Sequence, residues 1–355
     1  MISVPLGQVL AWRMRRQHLA EPGSAGAAEL ARVLCGVQAQ VPSSAEQAIA
    51  VRQAAPVPGE VDRALRDERT LVRCWSVRGT LHLHTPEDAA ACGAAVAAVR
   101  SWERPSVLRG HGVTLAEITA ITAAIGEVLP GRVLTREQLT EAVLEHTGSA
   151  HLAEVLRSGW GFALKPASWL GLLCHGPADG SRVTFTSPAT WLPGWKPVTA
   201  DEAGPRLLLS YLASYGPATL EDFGQWLFRS AKPSLLKGWI AAARDDLSEV
   251  DVDGVPSLVR TEDLDELRAT EPNRLVRLLP GFDQYVIAVN RGLIPRAHLA
   301  KVSRTSGWIS PVVLYGGRVA GVWSVENGVV SVDPFEEIPK KLLDAEIDRL
   351  KTTRT

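Results

Sequence analysis

The pattern that most constrains this chain is a succession of helical segments and paired strands that occurs three times. In the first copy, helical periodicity at 25–35, 44–54 and 59–68 is followed by an extended run at 70–84. Apolar residues at helical spacing predict helices, and a run rich in β-branched and aromatic residues predicts strands. Three helices followed by a two-stranded hairpin are typical of a winged helix-turn-helix unit.

Two further copies follow a helical connector predicted at 86–104. The second copy has predicted helices at 115–129, 136–146 and 152–171, and strands at 172–175 and 183–186. The third has predicted helices at 205–214, 219–228 and 233–245, and then a hairpin around Asp253 and Gly254. An Asp-Gly pair between strand-like runs is a strong hairpin signal.

The sequence pattern changes near residue 275. Short strand-like runs punctuated by glycine predict a small β subdomain at 275–335, and an amphipathic helix follows at 336–351. The predicted fold class is therefore α+β and mainly helical. We place three tandem winged helix-turn-helix units and the β subdomain at 1–110, 111–200, 201–272 and 273–355.

The charge balance excludes a protein that simply coats nucleic acid, because 38 basic and 39 acidic side chains give a net charge of −1. Arginine outnumbers lysine 30 to 8, and the first lysine is Lys165. This bias has two interpretations. The bias is typical of a GC-rich genome. Alternatively, the arginines supply planar, forked contacts to phosphates and bases that lysine cannot imitate.

Metal, cofactor and membrane functions find no signal in the sequence. The four cysteines are scattered, without the paired spacing of a zinc or iron–sulfur site. His82 and His84 would share one face of a strand, but no third ligand is identifiable. Without a signal sequence or an apolar run long enough to span a bilayer, we expect a cytoplasmic protein with neither metal nor cofactor.

Three motifs, the last of them a pair of segments, combine into a recognisable pattern. They are Val-Gln-Ala-Gln at 37–40, Arg-Cys-Trp-Ser-Val-Arg-Gly-Thr-Leu-His-Leu at 73–83, and the pair Leu-Leu-Pro-Gly-Phe-Asp-Gln-Tyr at 278–285 with Gly-Gly-Arg-Val-Ala-Gly-Val-Trp at 316–323. In this order they resemble the winged-helix family of bacterial DNA glycosylases that includes YcaQ and AlkZ, from about residue 8 to about residue 350. YcaQ-type members carry Asp where this chain has Gln40, so the chain is most similar to the azinomycin-resistance, AlkZ-type branch.

The resemblance implies both a shape and an activity. The shape is a C of three tandem winged helices around duplex DNA. The activity is monofunctional hydrolysis of the N-glycosidic bond of N7-alkylated purines, including bulky adducts and, in some members, interstrand crosslinks. A monomer is implied, with a role in DNA repair or in antibiotic self-resistance.

The Gln38 and Gln40 side chains are the predicted catalytic residues. Two residues apart on an extended chain, they can aim at a common point. An amide is no general base, but it can hold and orient one water, which suffices when N7-alkylation has already made the base a good leaving group. The alternative is that 37–40 is an ordinary polar helix end before Pro42.

We expect DNA contacts from basic and aromatic side chains beside the motifs. Along the strand, Arg73 and Trp75 would share one face, and Arg78 and His82 the other. For these hairpin arginines, the alternative is a carboxylate partner inside a domain interface. We interpret Phe282 and Asp283 as interdomain structure rather than as residues that take part in the chemistry. Arg318 follows a glycine turn that either probes a groove or is simply exposed. The expected DNA-contacting residues are Arg13, Arg16, Arg73, Trp75, Arg78, His82 and Arg318.

Two functions of other classes remain open from the sequence. One is a non-enzymatic winged-helix DNA-binding protein such as a regulator, and the other is an RNA-processing or protein-interaction scaffold. A regulator would read bases through a helix rich in Arg, Asn and Gln. The helix predicted at 44–54 offers few such side chains, which disfavours sequence-specific readout.

Overall fold

The computed structural model describes residues 2–158, 161–287 and 292–353. The chain groups into two compact units that interleave along the sequence. The first unit comprises Met1–Glu60, Leu208–Trp226 and Ala243–Thr355, and the second comprises Val61–Leu207 and Leu227–Ala242. The domain boundaries predicted near 110, 200 and 272 remain a prediction.

Helices predominate among the described elements, and short 3-10 turns connect several of them. In chain order the α-helices are α1 (Leu6–Arg16), α2 (Ala27–Val33), α3 (Pro42–Ala50), α4 (Glu60–Arg66), α5 (Pro86–Val99), α6 (Pro105–Gly110), α7 (Leu115–Val128), α8 (Arg136–Thr147), α9 (Ala153–Arg157), α10 (Lys165–Trp169), α11 (Pro188–Trp191), α12 (Ala200–Tyr215), α13 (Leu220–Leu227), α14 (Pro233–Ala242), α15 (Leu264–Ala269), α16 (Gln284–Ile287), α17 (Leu299–Val302) and α18 (Lys340–Thr353).

The strands are short and belong to small sheets. In chain order they are β1 (Ile2–Val4), β2 (Val37–Gln38), β3 (Val72–Trp75), β4 (Leu81–His84), β5 (Val133–Thr135), β6 (Cys174–His175), β7 (Thr184–Thr186), β8 (Leu247–Val252), β9 (Val255–Arg260), β10 (Val276–Leu279), β11 (Val312–Tyr315), β12 (Arg318–Glu326) and β13 (Val329–Pro334).

The predicted succession of helices and hairpins is present. Helices α2, α3 and α4 precede the antiparallel pair β3–β4, and α12, α13 and α14 precede the pair β8–β9. Asp253 and Gly254 form the turn of the latter hairpin with φ values of 48° and 88°. Two successive positive φ values match the twist of an antiparallel hairpin, which explains the Asp-Gly pair.

The helix predicted at 152–171 is wrong as a single element. The described part of that range contains α9 and α10, which Gly161 separates with a φ of 64°. Residues 159 and 160 lie outside the described residues. A left-handed residue cannot continue a right-handed helix, and Pro166 near the start of α10 lacks the N–H needed by a helix interior. The connector predicted at 86–104 likewise ends early, because Arg100 has a φ of 52°.

Strand β1 was not predicted by the sequence patterns. It pairs in parallel with β8, so that β1, β8 and β9 form one three-stranded sheet. Its three residues are too few to show a period. A parallel partner almost 250 positions away leaves no local signal, because the pairing depends on the folded arrangement alone.

The predicted β subdomain is an antiparallel sheet in the order β10-β11-β12-β13. Helix α18 packs beside β10, an edge strand of this sheet, and the Glu346 carboxylate accepts the backbone N–H of Leu278 at 3.0 Å. Met14 and Leu19, at and after the end of α1, belong to the same buried apolar cluster. The first helix is thereby part of the core of the subdomain.

A buried ion pair connects the end of α3 to the start of α16. Arg52 and Asp283 are both fully buried, and the two guanidinium Nη atoms donate to the two carboxylate oxygens at 2.8 Å each. Arg52 Nη1 also donates to the Ala48 carbonyl, and Asp283 accepts the backbone N–H of Tyr285. Such a pair offsets the cost of taking two charges out of water only while both partners remain.

We predict that Asp283→Asn lowers the free energy of unfolding by about 3–5 kcal/mol, because it leaves the Arg52 charge buried without a counterion. Urea denaturation followed by circular dichroism measures the loss. The matched control is Glu68→Gln, which removes an exposed ion pair with Arg63 and should cost less than about 1 kcal/mol. Equal losses in the two variants would contradict the prediction.

Candidate active site and DNA-contacting residues

The two glutamines lie on a short extended segment between α2 and α3. The chain leaves α2 through Cys35 and Gly36, whose φ values are 52° and 99°. It then runs through β2 and reaches α3 at Pro42. Left-handed residues reverse the chain within two positions. Gln38 and Gln40 therefore extend from the same short segment, as the sequence predicted.

The two amide groups meet, and their environments differ. Gln38 Nε2 donates to Gln40 Oε1 at 3.5 Å, a long hydrogen bond. The Gln38 side chain is buried, with 7% of the residue exposed, whereas Gln40 is exposed. Gln38 Oε1 is buried and accepts no hydrogen bond from any residue that the structure describes. A buried acceptor without a donor is uncommon in folded proteins and calls for an explanation.

Tyr215 holds the turn that leads into this segment. Its phenol Oη donates to the Leu34 carbonyl at 2.8 Å, which satisfies a carbonyl left free at the end of α2. The Tyr215 ring stacks on Tyr211 with centroids 5.2 Å apart. Sequence reasoning missed this residue, because an aromatic residue on an apolar helix face gives no sign of what its hydroxyl group contacts.

The segment is fixed at its other end by α3, which the Arg52–Asp283 pair anchors. Asp283 thus has a structural contact, and its interpretation as interdomain structure stays a prediction. Arg52 was not singled out in the sequence, since nothing in the local pattern distinguishes a buried arginine from an exposed one.

Arg13 and Arg16 bind protein carbonyls. Arg13 is buried, and its Nε and Nη2 donate to the carbonyls of Gly216 and Pro217 at 3.2 and 2.7 Å. Burial lowers the pKa of Arg13. Arg16 Nε donates to the Ala213 carbonyl at 3.0 Å. Cations near the last carbonyls of α12 are stabilised by the helix dipole, so both side chains have internal roles.

Arg16 also forms ion pairs with acidic residues of the same unit. Its Nη1 lies 3.2 Å from a carboxylate oxygen of Glu266, and its Nη2 lies 3.8 Å from Asp263. The DNA contacts expected for Arg13 and Arg16 therefore gain no support from their placement.

Trp75 also lies inside the protein. It is 5% exposed, and its ring lies 5.0 Å from His175 and 6.0 Å from Phe185, measured between centroids. An aromatic cluster of this kind stabilises a core and leaves no free ring face for a base. Arg73, on the same strand, is half-buried, and desolvation lowers its pKa.

The two histidines of β4 share one face, as predicted, and both rings are buried. His82 Nδ1–H donates to the Thr80 carbonyl at 3.1 Å, and Nε2 accepts from Arg78 Nη2 at 3.1 Å. His84 Nε2 shares a 2.8 Å hydrogen bond with Ser76 Oγ. Burial, followed by the Arg78 charge, lowers the pKa of His82 far below its usual range. His82 is therefore a neutral internal residue that holds Arg78.

Arg318 is exposed at the start of β12, after the turn at Gly316 and Gly317. Both glycines have positive φ, and a Cβ at Gly317 would lie 2.8 Å from Leu10 Cβ and from Tyr285 Oη. Tyr285 Oη also donates to the Gly317 carbonyl. This turn packs against α1 through Gly317, so it is not a free hairpin tip, and Arg318 is its exposed side chain.

Metal and membrane sites find no support in the part of the chain that the structure describes. Within it, no group of three or more His, Cys, Asp or Glu side chains could share a metal ion. None of the helices described combines the length and the apolar character of a segment that crosses a bilayer.

Comparison with known proteins identifies the class. A family profile described as "DNA glycosylase AlkZ-like" matches residues 31–352, which is most of the chain. The chain is a DNA glycosylase. It belongs to the AlkZ-like DNA glycosylase family, which confirms the resemblance and disfavours a non-enzymatic regulator.

Two comparisons with Streptomyces sahachiroi agree with this assignment. The chain is 43% identical over 349 residues to an interstrand DNA cross-link repair glycosylase, with 96% of this chain and 94% of that protein covered. The solved structure of the DNA glycosylase AlkZ superposes with a TM-score of 0.95 at 40% identity, over 99% of this chain and 97% of the other. The mixed helical and sheet fold is therefore that of AlkZ.

We predict that His84→Gln flattens the pH dependence of stability. Burial lowers the pKa of His84 from 6.5 to about 4. Between these values the unfolded chain binds a proton that the folded protein does not, so the free energy of unfolding decreases as the pH falls. One such group contributes about 1.4 kcal/mol per pH unit. The variant should lose this part of the slope in urea titrations across the interval between these two pKa values, and an unaltered slope would contradict the prediction.

Proposed function

We propose that this glycosylase hydrolyses the N-glycosidic bond of bulky N7-alkylguanine adducts in duplex DNA, with Gln38 and Gln40 as its catalytic residues. The observation that carries the proposal is the buried Gln38 Oε1, which has no donor among the described residues and adjoins the Gln40 amide. The name of the Streptomyces sahachiroi relative supports a further step, in which the enzyme unhooks interstrand crosslinks.

The substrate explains why two neutral amides suffice. Alkylation at N7 gives guanine a positive charge, so cleavage of the C1′–N9 bond releases a neutral base and leaves an oxocarbenium-like sugar. No acid is needed to protonate the leaving group. The remaining task is to place a water beside C1′ and to stabilise the cation, which oriented dipoles can do.

Each glutamine has a part that follows from its position. Gln38 Oε1 can accept a hydrogen bond from the attacking water, because no described residue occupies it. Gln38 Nε2 donates to Gln40 Oε1, which orients the second amide at the exposed edge of the site. Both carbonyl dipoles then face the developing positive charge.

We further propose that the three helix-and-hairpin copies are winged helix-turn-helix units and that the enzyme acts as a monomer in the cytoplasm, without a metal or cofactor. Its role would be general DNA repair or self-resistance to an alkylating antibiotic. Of the expected DNA contacts, Arg73, Arg78 and Arg318 remain in this proposal, because they are half-buried or exposed. Arg13, Trp75 and His82 do not, because they are buried. Arg16 does not, because its guanidinium lies against the carboxylates of Glu266 and Asp263.

We predict that Gln38→Ala and Gln40→Ala each reduce single-turnover base release by about 100-fold or more, in line with the loss of one oriented dipole at a reacting centre. The substrate is a duplex with one N7-methylguanine, and alkali cleavage of the abasic product is the measurement. Gln225→Ala is the matched control. Gln225 is an exposed helical glutamine bonded to Glu221, and its removal should leave the rate within about twofold.

Two results would contradict the proposal. Unaltered base release in both alanine variants would remove the catalytic role of the pair. No release from any N7-alkylguanine duplex by the wild-type enzyme would exclude the substrate class. A duplex crosslinked through two N7 atoms extends the assay, since unhooking separates the strands in a denaturing gel.

A further inference from the structure

The turn of the first hairpin contains one cation, Arg78, and lies close to a second, Lys165. Arg78 and Gly79, between β3 and β4, have φ values of 58° and 69°. A Cβ built on Gly79 would lie 3.6 Å from Phe228 Cε2, 3.7 Å from Trp169 Cζ2 and 3.8 Å from Lys165 Nζ. Lys165, the first lysine of the chain, therefore points its ammonium group at this turn.

Lys165 has no counterion. It is half-buried, and within the described residues its Nζ donates to no acceptor and lies near no carboxylate. Burial lowers its pKa, and no acidic group acts in the opposite direction. A desolvated cation without a partner is unfavourable in a folded protein. This arrangement is expected where an anion completes the site.

Two more cations belong to, or contact, the segment that follows Phe228, whose ring reaches this turn. Phe228 is followed by the exposed Arg229, which forms no hydrogen bond or ion pair with a described residue. Arg104 is also exposed, and its Nη2 donates to the Ser230 carbonyl at 3.0 Å. Ser230 Oγ has no hydrogen-bond partner in the described chain. We define the Gly79 cluster as Arg78, Arg104, Lys165 and Arg229.

Some basic side chains of this unit are neutralised by carboxylates. Arg206, for example, lies 2.7 Å from Glu87, and Arg100 lies 2.7 Å from Glu103. The second pair occupies Glu103, the acidic residue next to Arg104. Carboxylates therefore neutralise these arginines, whereas Lys165, Arg104 and Arg229 form no ion pair with a described carboxylate.

We propose that the Gly79 cluster binds phosphates of the DNA backbone, with Lys165 as its central contact. DNA is the substrate class of the family. A row of phosphates is the polyanion that fits such a group of cations, of which Lys165, Arg104 and Arg229 form no ion pair with a described carboxylate. Arg78 is held in place by His82, at 3.1 Å. The proposal requires DNA binding, but it does not depend on the chemistry of Gln38 and Gln40.

The test measures how DNA affinity depends on salt. Binding of an undamaged fluorescein-labelled duplex is followed by fluorescence anisotropy across a potassium chloride series, so no base release is involved. Each phosphate contact contributes about 0.9 to the slope of log K against log salt concentration. Lys165→Met should therefore reduce the magnitude of the slope by about 0.9, and Lys165→Arg should retain it. The exposed Arg229→Gln should give the same reduction and avoids any effect of buried side chains on folding.

Lys351→Met is the control for net charge, because Lys351 is an exposed lysine bonded to Asp348. The slope of log K against log salt concentration for this variant should equal that of the wild-type protein. Wild-type slopes in both Lys165→Met and Arg229→Gln would overturn the proposal. An equal loss in Lys165→Arg would also overturn it, because the guanidinium keeps the charge. The two proposals can fail separately. If the Gly79 cluster does not bind phosphates, the wild-type protein can still release the base. If the two glutamines are not catalytic, the salt dependence of DNA binding is unaffected.

Discussion

The fully buried pair of Arg52 and Asp283 is the contact on which the rest of the first compact unit depends. Two opposite charges with no exposure are joined by two 2.8 Å hydrogen bonds. Burial of this kind contributes little net stability over a well-packed apolar pair, but it is intolerant of change. Its effect is therefore positional. It fixes the end of α3 against the loop before α16, and the helix that begins two residues after Gln40 cannot shift without breaking it.

Arginine side chains bind backbone carbonyls inside this unit at several places. Arg13 and Arg16 bind the carbonyls at the end of α12, and Arg277 binds the carbonyls of Leu19 and Ala20. Several forked donors on one side chain make such multiple contacts possible. The abundance of arginine in a chain of net charge −1 is thus explained in part by structure. It is not by itself a sign of a DNA-binding surface.

Local sequence patterns predicted the helices and strands, whereas the contacts of individual side chains depend on residues far away in the sequence. The hairpin at Asp253 and Gly254 follows from two residues that favour positive φ, and the antiparallel sheet of the β subdomain follows from short alternating strands. The break at Gly161 was missed, because an isolated glycine also occurs within helices. Trp75 and Arg13 looked like DNA contacts, since a sequence shows residue type but not which carbonyl or ring lies opposite. The glutamine segment was predictable because its geometry is local.

The two glutamines differ in how far they are buried, and this difference affects their proposed chemistry. A carboxylate at position 38 would be desolvated, and its pKa would rise toward the neutral, protonated form. An amide there keeps its acceptor oxygen at every pH. Position 40 is exposed, so a carboxylate could stay ionised there, and the YcaQ-type members that this chain resembles carry Asp at that position. In the proposed mechanism, the buried position therefore needs a neutral acceptor. The exposed position is where an added charge would stabilise the sugar cation or activate the water more strongly.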